Sequence, residues 1–301
     1  MMSGLKGLNY EHFVAGISGG ILSTLVLHPF DLLKIRLQVN DGIIVRPTYT
    51  GFVQAFKSIV RKQGYIGLYQ GVTPNIWGAG ASWGFYFFFY NAIKSYMQGE
   101  EMKSLGPGHH MLAAAQSGVV TLFITNPIWV VKTRLCLQYD GVNNIGVASN
   151  SAKYTGMVDA LRKIYRFEGL GGLYKGLLPG LFGVSHGALQ FMAYEELKKN
   201  YALYKGQEVN KLQNPLEYIT FAALSKMFAV VTTYPYQVVR SRLQDRHTTY
   251  SGTLDAITKT YRKERWRGFY KGMFPNLLRV TPACCITFVV YENMTYYLKN
   301  R

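Results

Sequence analysis

Pro29-Phe30-Asp31-Leu32-Leu33-Lys34-Ile35-Arg36 recurs as Pro127-Ile128-Trp129-Val130-Val131-Lys132-Thr133-Arg134 and again as Pro235-Tyr236-Gln237-Val238-Val239-Arg240-Ser241-Arg242. In each copy a basic residue stands five and seven positions after the proline. Downstream a second phrase repeats, as Tyr49-Thr50-Gly51, Tyr154-Thr155-Gly156 and Tyr250-Ser251-Gly252. A third follows 20 residues after each of those tyrosines, as Tyr69-Gln70-Gly71, Tyr174-Lys175-Gly176 and Tyr270-Lys271-Gly272. Self-similarity at a fixed period marks an array of one supersecondary unit, here three repeats of about 100 residues (1–104, 105–207 and 208–301) forming one folded body. The interval from proline to the first tyrosine is 20, 27 and 15 residues, so insertions are confined to one loop per repeat.

The sequence around these phrases is nearly free of charge. Residues 13–30, 71–93, 111–131 and 176–194 contain no Lys, Arg, Asp or Glu; residues 218–239 contain only Lys226, and 272–291 only Arg279. A helix needs roughly 20 residues to cross a bilayer's hydrocarbon core, so these six stretches predict six transmembrane helices, two per repeat. Each repeat reads as span, proline break, basic helix end, variable loop, short amphipathic helix, glycine turn and second span. In the short helix of repeat 1, Phe52, Phe56, Ile59 and Val60 share one face and Lys57, Arg61 and Lys62 the other. Three prolines in register imply kinks arranged around a threefold pseudo-axis.

The formal net charge of +17 suits nucleic acid, an anionic membrane surface or an anionic cargo. The basic residues flank apolar spans, and no zinc, zipper or RNA-binding motif accompanies them, so a nucleic-acid partner is not expected. The three cysteines, Cys136, Cys284 and Cys285, fall in or beside predicted spans and do not read as a disulfide framework. The first residues, Met1 to Phe13, have neither an apolar signal core nor the Arg-rich character of a presequence, so no cleavable presequence is expected. No phosphate-binding glycine loop, metal cluster or nucleophile elbow points to an enzyme. Neither a metal nor a resident cofactor is expected.

Over essentially its whole length the chain resembles the mitochondrial carrier family. That family's motif is Pro-x-acid-x-x-basic-x-basic, then acid-Gly, then aromatic-basic-Gly, in three copies. The resemblance implies a six-helix pseudo-threefold barrel in the mitochondrial inner membrane, with short matrix-side amphipathic helices and alternating access through a central site. It also implies an anionic lipid partner such as cardiolipin, and a monomer is expected. The departures are informative. Of the acids after proline only Asp31 is present; Trp129 and Gln237 occupy the other two positions. The matrix gate implied by the resemblance therefore comprises Asp31, Lys34, Trp129, Lys132, Gln237 and Arg240. Asp31–Lys132 is its one ion pair, and Lys34 and Arg240 are left opposite an amide and an indole. A cytoplasmic gate of Lys94, Glu195, Lys198 and Glu292 retains only Glu292–Lys94.

Pro127-Ile128-Trp129 is similar to the subgroup that carries folates, FAD, NAD and pyrimidine nucleotides. The stretches Pro74 to Gly80, Ser185 to Phe191 and Pro282 to Cys285 narrow the implied cargo to folate and/or FAD. NAD or pyrimidine nucleotides are the nearest alternative, and a proton-leak carrier is a second class. Internal symmetry places the cargo site. Seven residues beyond the turn glycines lie Gly78, Gly183 and Arg279, about two helical turns into the membrane. An intramembrane arginine is costly unless it meets water or a partner, and its fork suits a carboxylate or phosphate. Gly78 and Gly183 leave room for a flat ring beside Trp77, Phe182 and Val184. By the same cost argument, Lys226 is expected to face the cavity.

Overall fold

The structure is a computed structural model that describes residues 10–42, 47–98, 106–139, 153–206, 215–246 and 250–299. Six long rods follow the three-repeat pattern. In repeat 1 they are α1 (Tyr10–Gln38) and α3 (Val72–Gln98), joined through α2 (Phe52–Gln63) and a 3₁₀ turn at Tyr65–Tyr69. In repeat 2, α4 (Pro107–Cys136) leads through α5 (Met157–Leu173) to a rod built from α6 (Leu177–Leu181), a 3₁₀ segment at Phe182–Val184 and α7 (Ser185–Lys205). In repeat 3, α8 (Pro215–Gln244), α9 (Thr253–Gly268) and α10 (Met273–Lys299) complete the set. The expected six transmembrane helices are present. By composition alone only Gly108–Cys136 qualifies as a span among the described residues. A helix that lines a polar interior is free to carry polar side chains.

The prolines do not end helices. Pro29, Pro127 and Pro235 lie inside α1, α4 and α8, which run on for two further turns and carry the basic residues on their final turns. The expected proline break is therefore a point inside a continuous rod. The extensive seams run between repeats: α3 along α4, α7 along α8, and α10 back along α1, which closes the ring.

Each amphipathic helix starts the same way. Its first turn closes from Ala55, Ala160 or Ala256 N–H to the carbonyl of Gly51, Gly156 or Gly252. The side chains of Gln54, Asp159 and Asp255 accept from the backbone N–H of Thr50, Thr155 and Ser251, a one-way tie between the first turn and the repeated Tyr-Thr/Ser-Gly phrase. The tyrosines of that phrase are buried, and Phe52, Phe56, Ile59 and Val60 pack inward as expected. Lys57, Arg61 and Lys62 are exposed.

The turn glycines have a steric and a conformational reason to be glycine. Gly71, Gly176 and Gly272 have φ of 81°, 74° and 79°, where an L side chain is strained. A Cβ on each would meet the carbonyl oxygen of Lys132 (3.1 Å), Arg240 (3.1 Å) or Lys34 (2.7 Å), the basic residue five positions after proline in the neighbouring repeat's first long rod; these rods, α1, α4 and α8, are the first, third and fifth of the six and are called the odd helices.

Candidate functional site

The site lies where the ends of α1, α4 and α8 converge. A ring of three buried arginines ties these ends together. Arg36 Nε donates to the Cys136 carbonyl (3.0 Å), Arg134 Nε to that of Gln244 (3.2 Å) and Arg242 Nε to that of Gln38 (3.0 Å). Each arginine thus caps the last turn of another odd helix while its remaining nitrogens hold its own repeat's amphipathic helix. Arg134 forms a two-pronged bond to Glu168, and Arg242 reaches Glu264 (2.9 Å) and Thr260 (2.9 Å). Lys175 and Lys271 join those carboxylates at 2.8 and 2.9 Å. In repeat 1 both charges are exchanged for amides: Arg36 bonds Gln63 (3.1 Å) and Gln70 (2.7 Å). Sequence reading noted these arginines only as the seventh residue after proline; the carbonyls they bond lie 100 or more residues away.

Immediately above the ring lie the residues expected to form the gate. Lys34 Nζ donates to Gln237 Oε1 at 2.9 Å, the amide partner expected for it. Asp31, 5% exposed, receives Lys132 at 3.5 Å, the expected ion pair. The third pairing differs. The Trp129 indole lies under Lys132 (5.1 Å to the ring) and donates to Ser82 Oγ (3.3 Å), while Arg240 turns to Asn126 Oδ1 (3.2 Å). The ring's π-face is the better partner for the nearer cation.

Arg279 reaches down from α10 into this gate. Its guanidinium lies 3.0 Å from Asp31 Oδ1 and 3.1 Å from Oδ2, and its Nε is buried without a partner. Asn75 Nδ2 also donates to Asp31 (3.2 Å) and is itself fixed by His28. The ring tautomer follows from the network: His28 Nε2 donates to the Gln70 carbonyl (2.9 Å), leaving Nδ1 to accept from Asn75. The residue before each kink proline makes an equivalent tie, from Asn126 to the Leu173 carbonyl and from Tyr234 to that of Lys271. Lys132, Arg240 and Arg279 all lie within electrostatic reach of Lys34, and among the described residues Asp31 is the carboxylate within that reach.

Three other expected contacts are placed differently. Gly78 is buried on the α3–α4 seam, where a Cβ would meet Ile128 (3.2 Å) and the Trp129 ring (3.5 Å). The gap beside it is already filled by Trp129, not left open for a cargo ring. Gly183 likewise faces Tyr236, whose hydroxyl lies 3.4 Å from a Cβ placed there. Val184 lies over Gly118 of α4, where a Cβ would meet its methyl group at 3.4 Å, and is a seam residue. Helical periodicity fixes which residues share a face, and the rotation of that face is set by neighbours the repeat does not reveal. Trp77 and Phe182 are 66% and 61% exposed. Lys226, half-buried, is within electrostatic reach of His186, which shares a hydrogen bond with Thr233 (2.9 Å).

At the opposite end, Lys94, Glu195 and Lys198 are half-buried, and among the described residues no ion pair joins them. The Glu292 side chain lies outside the described residues. The hydrogen-bonded closure described above lies at the converging ends of α1, α4 and α8.

Three consecutive stretches, residues 7–101, 103–205 and 211–301, match the mitochondrial carrier protein family. The chain is a mitochondrial carrier. Its curated relatives include Folate transporter 1, chloroplastic, of Arabidopsis thaliana, 42% identical over 97% of this chain and 96% of that protein. The Mitochondrial FAD carrier protein FLX1 of Saccharomyces cerevisiae is 37% identical, covering 96% and 97%. Nicotinamide adenine dinucleotide transporter 2, mitochondrial, of Arabidopsis thaliana is 37% identical, covering 95% and 79%. In this carrier the converging ends of α1, α4 and α8 are joined by one ion pair, one lysine–amide bond and an indole–lysine contact.

Proposed function

We propose that this carrier moves an anionic heterocyclic cofactor, folate and/or FAD, across the mitochondrial inner membrane by alternating access. The observation that carries the reading is Arg279, an intramembrane guanidinium with an unpartnered Nε, set among cations that outnumber their one acid. Such a field is completed by an anion, and arginine's fork accepts a phosphate or carboxylate bidentately. Exposed Trp77 and Phe182 offer ring faces for a flat heterocycle, each stacked ring adding about 0.5–1.5 kcal/mol beyond burial. The folate and FAD relatives support this cargo class; the NAD relative keeps NAD as the competing cargo. An anionic lipid such as cardiolipin fits the groove of about 860 Å³ between the start of α2 and the start of α10, where Lys57 and Lys271 flank the turns at Thr50–Phe52 and Gly272–Phe274. The working unit is a monomer.

Purified carrier in liposomes, offered folate, FAD, NAD and pyrimidine nucleotides separately, tests the proposal. Folate or FAD uptake is expected, abolished by Arg279→Ala and poorly rescued by Arg279→Lys. Uptake of NAD alone reassigns the cargo, and proton conductance without any cargo dependence replaces the transport reading.

A further inference from the structure

Asp31 is doubly employed. It is the carboxylate of the matrix gate's ion pair, yet its shorter contacts are to Arg279, at 3.0 and 3.1 Å against 3.5 Å for Lys132. It is not free to swing between them, because Asn75 holds Oδ2 and His28 holds Asn75. A buried, fixed carboxylate beside a guanidinium occupies the position that an anionic ligand of that guanidinium would take. We propose that Asp31 is a resident counter-ion of Arg279, which the anionic end of the cargo must displace, so that this exchange sets affinity and selectivity; the proposal rests on placing the cargo anion at Arg279. A cargo with one carboxylate replaces like with like and leaves Asp31 desolvated beside a new negative charge. A cargo with a pyrophosphate or two carboxylates brings a second charge for the unpartnered Nε and for the neighbouring cations Lys34 and Arg240. Asp31 thereby selects for polyanionic cargo.

The test is binding of FAD and of folate to the purified full-length carrier, measured by calorimetry, with riboflavin as an anion-free comparison. Asp31→Asn and Lys132→Gln both break the gate's ion pair, so a purely gating role moves them in the same direction. Counter-ion exchange moves them oppositely. Asp31→Asn is expected to tighten polyanion binding about tenfold, while Lys132→Gln, which leaves Asp31 to Arg279 alone, weakens it. Riboflavin binding is expected to be unchanged in both. The gain in Asp31→Asn is expected to vanish in an Arg279→Gln background, where a through-space field effect would persist. Shifts in the same direction, or no tightening in Asp31→Asn, overturn the proposal while leaving the Arg279 site standing, provided Arg279→Gln alone loses binding. Wild-type affinity in Arg279→Gln instead removes the site, and the counter-ion with it. Thermal unfolding of each variant confirms that folded proteins are compared, and should Asp31→Asn fail to fold, a Lys132→Gln variant that binds as tightly as wild type is sufficient to refute exchange.

Discussion

Replacing Arg265 by glycine should make this carrier more stable. The bends after the amphipathic helices are equivalent in the three repeats and have φ of 66° at Gly64, 66° at Gly169 and 52° at Arg265, with ψ of −174°, −162° and −150°. That region is accessible essentially only to glycine, and a residue with a Cβ held there costs about 1–3 kcal/mol. Arg265 is exposed, and among the described residues no hydrogen bond or ion pair holds its side chain. Glycine loosens the unfolded chain and gives back about 0.4–1 kcal/mol, leaving a net gain of about 1–2 kcal/mol. For a chain of 301 residues that corresponds to a rise in Tm of about 1.5–2 °C per kcal/mol. Thermal unfolding followed by a thiol-reactive dye suits the protein, because Cys136 is a free and fully buried cysteine. The control is Arg265→Ala, which removes the charge and keeps the Cβ, so its Tm should stay near wild type. A glycine variant no more stable than wild type refutes the strain argument. An alanine variant that rises equally assigns the effect to lost charge repulsion among the exposed basic residues of α9.

Gly272→Ala should be severely destabilising, since it combines a φ of 79° with a Cβ 2.7 Å from the backbone oxygen of Lys34, whereas Gly20→Ala, with open space around it, should fold normally; comparing yields of folded protein decides. Glu168 should make stability acid-sensitive: burial by itself would raise its pKa, but the bonds from Arg134 and Lys175 overcome this and hold it at about 2. Its folded-state pKa lies below the usual 4.5, so the stabilisation is complete above that value and is lost as pH falls from 4.5 towards 2. Glu168→Gln should flatten unfolding curves across that window, and an unchanged pH profile would count against the ion pair.

The repeated phrases made the architecture legible because turn glycines, caps and kink prolines are local requirements that must be restated in every repeat. The contacts between the converging helix ends were legible through the family resemblance, which implied both Asp31–Lys132 and Lys34 opposite Gln237. What escaped was rotation and depth. Val184 meets Gly118, and Gly78 meets Trp129, through the packing of particular side chains that no period encodes. Arg279 stood out as a charge in an apolar run, but its partner Asp31 is 248 positions away and belongs to another repeat's motif. The arginine ring was hidden differently. Its acceptors are main-chain carbonyls, which leave no trace in the identity of Cys136, Gln244 or Gln38.

The turn glycines dock on the backbone of the neighbouring repeat, and Gly272 docks on α1 as Gly71 does on α4 and Gly176 on α8. Topologically the molecule is therefore a closed cycle whose first and last members are neighbours like any others. No repeat can complete itself in isolation, because the surface that receives its glycine turn is supplied by another. The order in which a ribosome strings them together is, for the finished ring, a matter of history.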